Sequence, residues 1–72
     1  LMALTVAPRG DMLTVSRITG KEKTRQFLKT LGFTEGERVS VITEMGGNMI
    51  VSIRNSRIAL DRDMARRIQV SF

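Results

Sequence analysis

The chain has 72 residues, with twelve Lys and Arg against seven Asp and Glu, a formal charge of +5, and no Cys, His, Trp or Tyr. The missing Cys and His exclude a zinc finger, an iron–sulfur cluster, a c-type haem attachment, a His-based triad and a Cys nucleophile. A chain near this length buries only ~60% of its unfolded surface, so one thin core forms and a deep enclosed active site does not.

In chain order, Leu4 to Gly10 leads in. Pro8 has no N–H and Gly10 tolerates positive φ, so Ala7-Pro8-Arg9-Gly10 predicts a tight turn with Pro in second place. Asp11–Ile18 reads as a half-buried strand, in which Leu13 and Val15 alternate with Thr14 and Ser16. Thr19-Gly20 ends it. Lys21–Leu31 is the one sustained helical pattern, with Phe27, Leu28 and Leu31 facing inward and Thr24 one turn earlier. Gly32 follows where a left-handed C-terminal cap needs a residue without Cβ. A helix of ~11 residues is marginal alone and must dock.

Phe33 leads into a turn at Thr34-Glu35-Gly36-Glu37, and the period then changes to two. Arg38–Glu44 is a strand, Met45-Gly46-Gly47-Asn48 a hairpin connection, and Met49–Arg54 the return strand with Val51 and Ile53 inward. Asn55-Ser56 turns again into the strand Arg57–Asp61. Arg62–Arg67 fits a single helical turn that Asp61 is placed to cap, and Ile68–Phe72 is a last strand. The pattern predicts a mainly β fold: a small five-stranded barrel or strongly bent sheet, with one α-helix inserted after the first strand. Residues 1–72 are expected to form a single domain.

Apolar residues make up 42% and charged residues 26%, as in an ordinary folded domain. No apolar run approaches the ~18 residues of a membrane span. Leu1–Pro8 is apolar but short and lacks a basic start, so it does not read as a signal peptide. Zero Cys suits a reducing compartment, and a cytoplasmic location is expected.

A charge of +5 is compatible with solubility alone, or with an acidic protein surface, nucleic acid or an anionic membrane as partner. Lys21, Arg25 and Lys29 are spaced i, i+4, i+8 in one helical stripe. The stripe reads either as a landing strip for an acidic partner or phosphates, or as an ordinary solvated face. Met45 and Met49 flank Gly46-Gly47-Asn48, which suits adaptable protein contact or simply a turn with Met capping the core. The pairs Asp61/Asp63 and Glu35/Glu37 offer oxygen ligands, but Arg62, Arg66 and Arg67 beside the first pair favour ion pairing and capping. Arg54, Arg57, Arg62, Arg66 and Arg67 cluster late in the chain, a pattern open to phosphate contact. Base stacking is less well provided: the aromatics are Phe27, Phe33 and Phe72, the first two expected in the core.

Taken together, Gly10 before the first strand, a basic helix running into Leu31-Gly32-Phe33, Gly36 three residues on, a Gly-rich hairpin, Arg57-Ile58-Ala59-Leu60, and then Ala65, Ile68 and Val70 form an ordered set. From about Leu4 to Val70 the chain resembles the FeoA family, small cytosolic proteins of bacterial ferrous-iron transport. The resemblance implies an SH3-like barrel and a non-enzymatic accessory role. It implies a partner, the FeoB-type membrane GTPase-permease, and transition-metal binding at the level of the family. A similar SH3-like module closes the chain of iron-dependent repressors, behind DNA-binding domains. Many family members carry Arg or Lys after the Ala-Leu of the fourth strand, where this chain has Asp61, and a Pro in the central hairpin, where it has Met45-Gly46-Gly47-Asn48. The residues expected to meet the partner are Lys21, Arg25, Lys29, Met45, Gly46, Gly47, Asn48 and Met49, with Gly10, Gly32 and Gly36 as structural turns. No cofactor, catalytic residue, metal ligand or covalent membrane anchor is expected. Fe(II) prefers harder donors than Met thioethers and no His is present, so any link to iron runs through the partner. The alternative reading is a small basic barrel that binds nucleic acid.

Overall fold

The structure, a computed structural model, describes all of Leu1–Phe72. Its elements in order are β1 (Met2–Ala3), a 3₁₀ turn (Leu4–Val6), β2 (Leu13–Ile18), α1 (Glu22–Thr30), β3 (Arg38–Met45), β4 (Asn48–Ile53), β5 (Ser56–Asp61), α2 (Arg62–Arg66) and β6 (Ile68–Ser71). The strands form one antiparallel sheet in the order β1-β6-β2-β3-β4-β5. No helix is long and apolar enough to cross a membrane.

Two expectations are corrected. The sheet has six strands rather than five, because Met2 and Ala3 pair with Val70 and Gln69 of β6. Two residues are too few to display a period, so sequence alternation does not reveal them. The sheet is also not closed into a barrel: β1 and β5 are its two edges and no pairing joins them. Instead α2 packs against both β5 and the 3₁₀ turn that follows β1. A short helix thus spans the gap that a closed barrel would bridge with hydrogen bonds.

β3, β4 and β5 form a meander whose two connections are of one kind. Gly46 and Gly47 have φ of +56° and +83°, and Arg54 and Asn55 have +51° and +65°. Positive φ at both central residues is the two-residue hairpin geometry whose twist matches that of paired strands. The second turn therefore lies at Arg54-Asn55, one residue before the Asn55-Ser56 expected from composition, and Ile53 pairs with Ser56 across it.

Fourteen apolar residues form one buried cluster, among them Leu4, Leu13, Val15, Leu28, Phe33, Val41, Val51, Ile53, Leu60 and Val70. Alternation accounts for most of them. It breaks twice, at register shifts between Val15 and Arg17 in β2 and between Val41 and Thr43 in β3. Each inserts one extra residue, Ser16 and Ile42, and such bulges bend a strand and raise its twist. Ser16 is held there by a 3.2 Å hydrogen bond between its hydroxyl and that of Ser71.

α1 docks through Leu28, which is fully buried, with Thr24 and Leu31 half-buried beside it. It ends at Gly32, with φ +109°. There Gly32 N–H donates to the Lys29 carbonyl at 3.0 Å and Phe33 N–H to the Leu28 carbonyl at 3.1 Å. This double bond pattern satisfies carbonyls orphaned by the helix end and brings Phe33 over Leu28, both in the core. Phe27 does not join them: it is 50% exposed, against the expectation that it faces inward. At 100° per residue it stands about 100° from Leu28 around the helix, outside the narrow docked stripe.

Candidate functional site

Two surface regions carry the chemistry singled out in the sequence. The first is a cleft between the end of β2 and α1, with a volume of about 470 Å³. It is lined by Arg17, Ile18, Thr19 and Gly20 from the β2 end, by Arg25 and Lys29 from α1, and by Phe33 and Glu35.

The bulge at Ser16 is what supplies Arg17. Unbroken alternation from Leu13 and Val15 would put residue 17 on the core face. The extra residue shifts the parity, so Arg17 opposes Gln69 and its side chain is exposed. Sequence reasoning did not single out Arg17. The available signal was the misplacement itself, a guanidinium at a position that two-residue periodicity assigns to the core.

Arg25 and Lys29 do share one side of α1. They stand about 60° and 100° from Leu28, opposite Phe27. They lie on the flank of α1 away from Phe27, exposed, where they line the cleft beside β2. Lys21 precedes α1 as its capping residue, is exposed, and lies outside the cleft lining. At the cleft edge the Arg67 side chain passes close over Gly20, where an added Cβ would stand 3.4 Å from its Cδ. Thr19 N–H fixes that strand end by donating to the Arg67 carbonyl at 2.8 Å.

The second region is the hairpin between β3 and β4. Met45 is 65% exposed and pairs in register with Asn48 across Gly46-Gly47, all of them exposed. Met49 is different: it is 1% exposed and belongs to the core. It shares the parity of Val51 and Ile53, so the alternation of β4 turns it inward, and it is not a surface contact. Beside the hairpin, Arg62 Nη1 donates to Glu44 Oε1 at 2.6 Å. This ion pair ties the start of α2 to β3.

Charge is distributed unevenly. Three ion pairs form: Arg54 with Glu37 at 3.6 Å, Arg62 with Glu44, and Arg66 with Asp63. The late Arg cluster is thus partly neutralised, with Arg57 and Arg67 left unpaired. Arg17, Lys21, Lys23, Arg25 and Lys29 have no carboxylate within 4.0 Å, so unpaired cations are concentrated at the end of β2 and on α1.

The carboxylates are mostly engaged elsewhere. Asp61 accepts Met64 N–H at 2.8 Å and caps α2, Asp63 pairs with Arg66, and Glu37 with Arg54. No group of three or more Asp and Glu side chains converges as a metal site.

The comparisons with known proteins agree with one another. The model of the FeoA domain family matches residues 2–71. A protein of Methanocaldococcus jannaschii, provisionally named Fe(2+) transport protein A, is 31% identical over 67 residues, which is 93% of this chain and 82% of that one. The crystal structure of an iron uptake regulatory protein, FeoA, superposes with a TM-score of 0.87 at 31% identity, covering 97% of this chain and 93% of that one. FeoA of Stenotrophomonas maltophilia, solved with zinc and described as a prokaryotic SH3 domain protein, gives 0.85 at 25% identity over 99% of this chain and 91% of that one.

Proposed function

The chain belongs to the FeoA domain family, which is implicated in ferrous-iron transport, and from that premise we propose that it is a non-enzymatic accessory module acting on the cytosolic part of a FeoB-type GTPase-permease. On this reading residues 1–72 work as one unit in the cytoplasm. The observation that carries the proposal is the row of unpaired cations on α1 and at the end of β2. Such a surface complements an acidic protein face and steers its approach.

In this reading Lys21, Arg25 and Lys29 make the electrostatic contact, and Met45 with Gly46, Gly47 and Asn48 makes the adaptable one. The module acts by binding one state of the partner better than another, which shifts the partner's equilibrium by that difference in affinity. On this reading iron is the partner's cargo. Co-purification of tagged chain with the matching FeoB-type protein at low salt tests the reading. Retention of the partner is the expected result, and no retention at tens of micromolar contradicts it.

A second reading is favoured by one specific observation. Phe27 is 50% exposed on the basic helix and offers a platform for base stacking that the sequence pattern had assigned to the core. If nucleic acid is the partner, fluorescence anisotropy of a labelled oligonucleotide rises on adding the chain and falls steeply with salt. A flat response at low salt eliminates it.

A further inference from the structure

We propose that the cleft between the end of β2 and α1 is a binding site for a small phosphate-bearing anion. The cleft is concave and its volume of about 470 Å³ lies within the range of small-molecule pockets, roughly 300–1,000 Å³. Two Arg and one Lys line it from two different elements: Arg17 from β2, Arg25 and Lys29 from α1. None of the three has a carboxylate within 4.0 Å, although Glu35 lines the same cleft. Their positive charge is therefore unmatched inside the protein. The guanidinium fork fits phosphate oxygens in pairs, and the Lys ammonium adds a point charge.

The composition of the cleft also sets the class of anion. Three cations line the cleft against one carboxylate, Glu35, and the unpaired Arg67 reaches its edge, so the local charge is strongly positive. A phosphate group carries about −1.5 to −2 at pH 7 and complements this excess of positive charge. The apolar lining is confined to Ile18 and the buried Phe33, so no exposed aromatic in the cleft stacks a base. The site recognises the phosphate and leaves whatever carries it outside. The bulge at Ser16 turns Arg17 toward solvent, so this cation is directed by backbone geometry and not by a flexible stem alone.

The test needs only the isolated chain, so its failure leaves the partner reading untouched. The chain is titrated at low salt with inorganic pyrophosphate, with ADP and with adenosine, followed by calorimetry and by amide shifts. Pyrophosphate and ADP are expected to saturate one site with similar affinity, shifting Thr19 and Gly20, while adenosine does nothing. ADP binding that adenosine competes for shows recognition of the base and overturns the assignment. Arg17→Ala and Arg25→Ala, both at exposed positions, are each expected to weaken pyrophosphate roughly tenfold or more. Glu35→Gln is expected to tighten it several-fold, and Arg57→Ala, outside the cleft, to leave it unchanged. Absence of saturation at millimolar pyrophosphate overturns the proposal. So does equal weakening by Arg57→Ala and Arg17→Ala, which marks diffuse charge and no site. A single-stranded oligonucleotide that outcompetes pyrophosphate at Arg17 and Arg25 reassigns the surface to nucleic acid and also overturns it.

Discussion

Gly32 and Asp61 show how much a single position settles. Gly32 holds φ of +109°, and an added Cβ would meet Arg54 Cδ at 3.0 Å. A left-handed residue with Cβ costs roughly 1–2 kcal/mol, so Gly32→Ala is expected to lower the free energy of unfolding in urea by about that amount. Asp61 caps α2 through Met64 N–H. Asp61→Ala removes about 1 kcal/mol, which in a domain of this size lowers Tm by about 4–8 °C in calorimetry. Asp61→Asn keeps the acceptor and is expected to stay close to the parent. Both roles were legible in the sequence because they are local: a Gly after the last apolar position of a helix, an Asp before a helical turn. Phe27 was not legible. Which side of a nine-residue helix docks depends on the sheet beneath it, and Thr24, Leu28 and Leu31 outcompete Phe27 for that contact. Met49 was legible and misread, since it sits in step with Val51 and Ile53.

At the scale of elements, the strands β2 to β6 and both helices follow from periodicity and turn chemistry, and their ends fall within two residues of expectation. What alternation cannot supply is register. The bulges at Ser16 and Ile42 depend on partner strands that come from elsewhere in the chain, β6 for one and β4 for the other. The Ser16 bulge has the larger consequence, because it decides on which side Arg17 emerges. Deleting Ser16 removes the bulge and leaves Arg17 next after Val15, still on the outer face opposite Gln69. That deletion is expected to keep cooperative unfolding in urea and the dispersion of amide signals, because Val15 and Ile18 keep their partners Val70 and Ile68. Ser16→Ala keeps the extra residue and loses only the bond to Ser71, at about 1 kcal/mol. Loss of the folded state in the deletion variant would contradict this parity, since Arg17 would then have been forced inward.

At the scale of the whole molecule, the +5 in the composition becomes a polarity. Three of the seven carboxylates draw in Arg54, Arg62 and Arg66, while α1 and the end of β2 keep their cations free. Net charge was legible in the sequence. Its distribution was not, because two of the three ion pairs join residues more than fifteen positions apart, Glu37 with Arg54 and Glu44 with Arg62. Without Cys or His, the sequence points to an indirect link to iron. The account therefore rests on contact with a partner. The most direct test is calorimetric titration of the chain into the cytosolic part of the matching FeoB-type protein at low salt. Saturable binding at tens of micromolar or tighter is predicted. Replacing Lys21, Arg25 and Lys29 together by Ala should weaken it roughly tenfold, as three exposed charges of about 0.2–1 kcal/mol each imply. No binding at those concentrations, or binding indifferent to the three substitutions, would contradict the account.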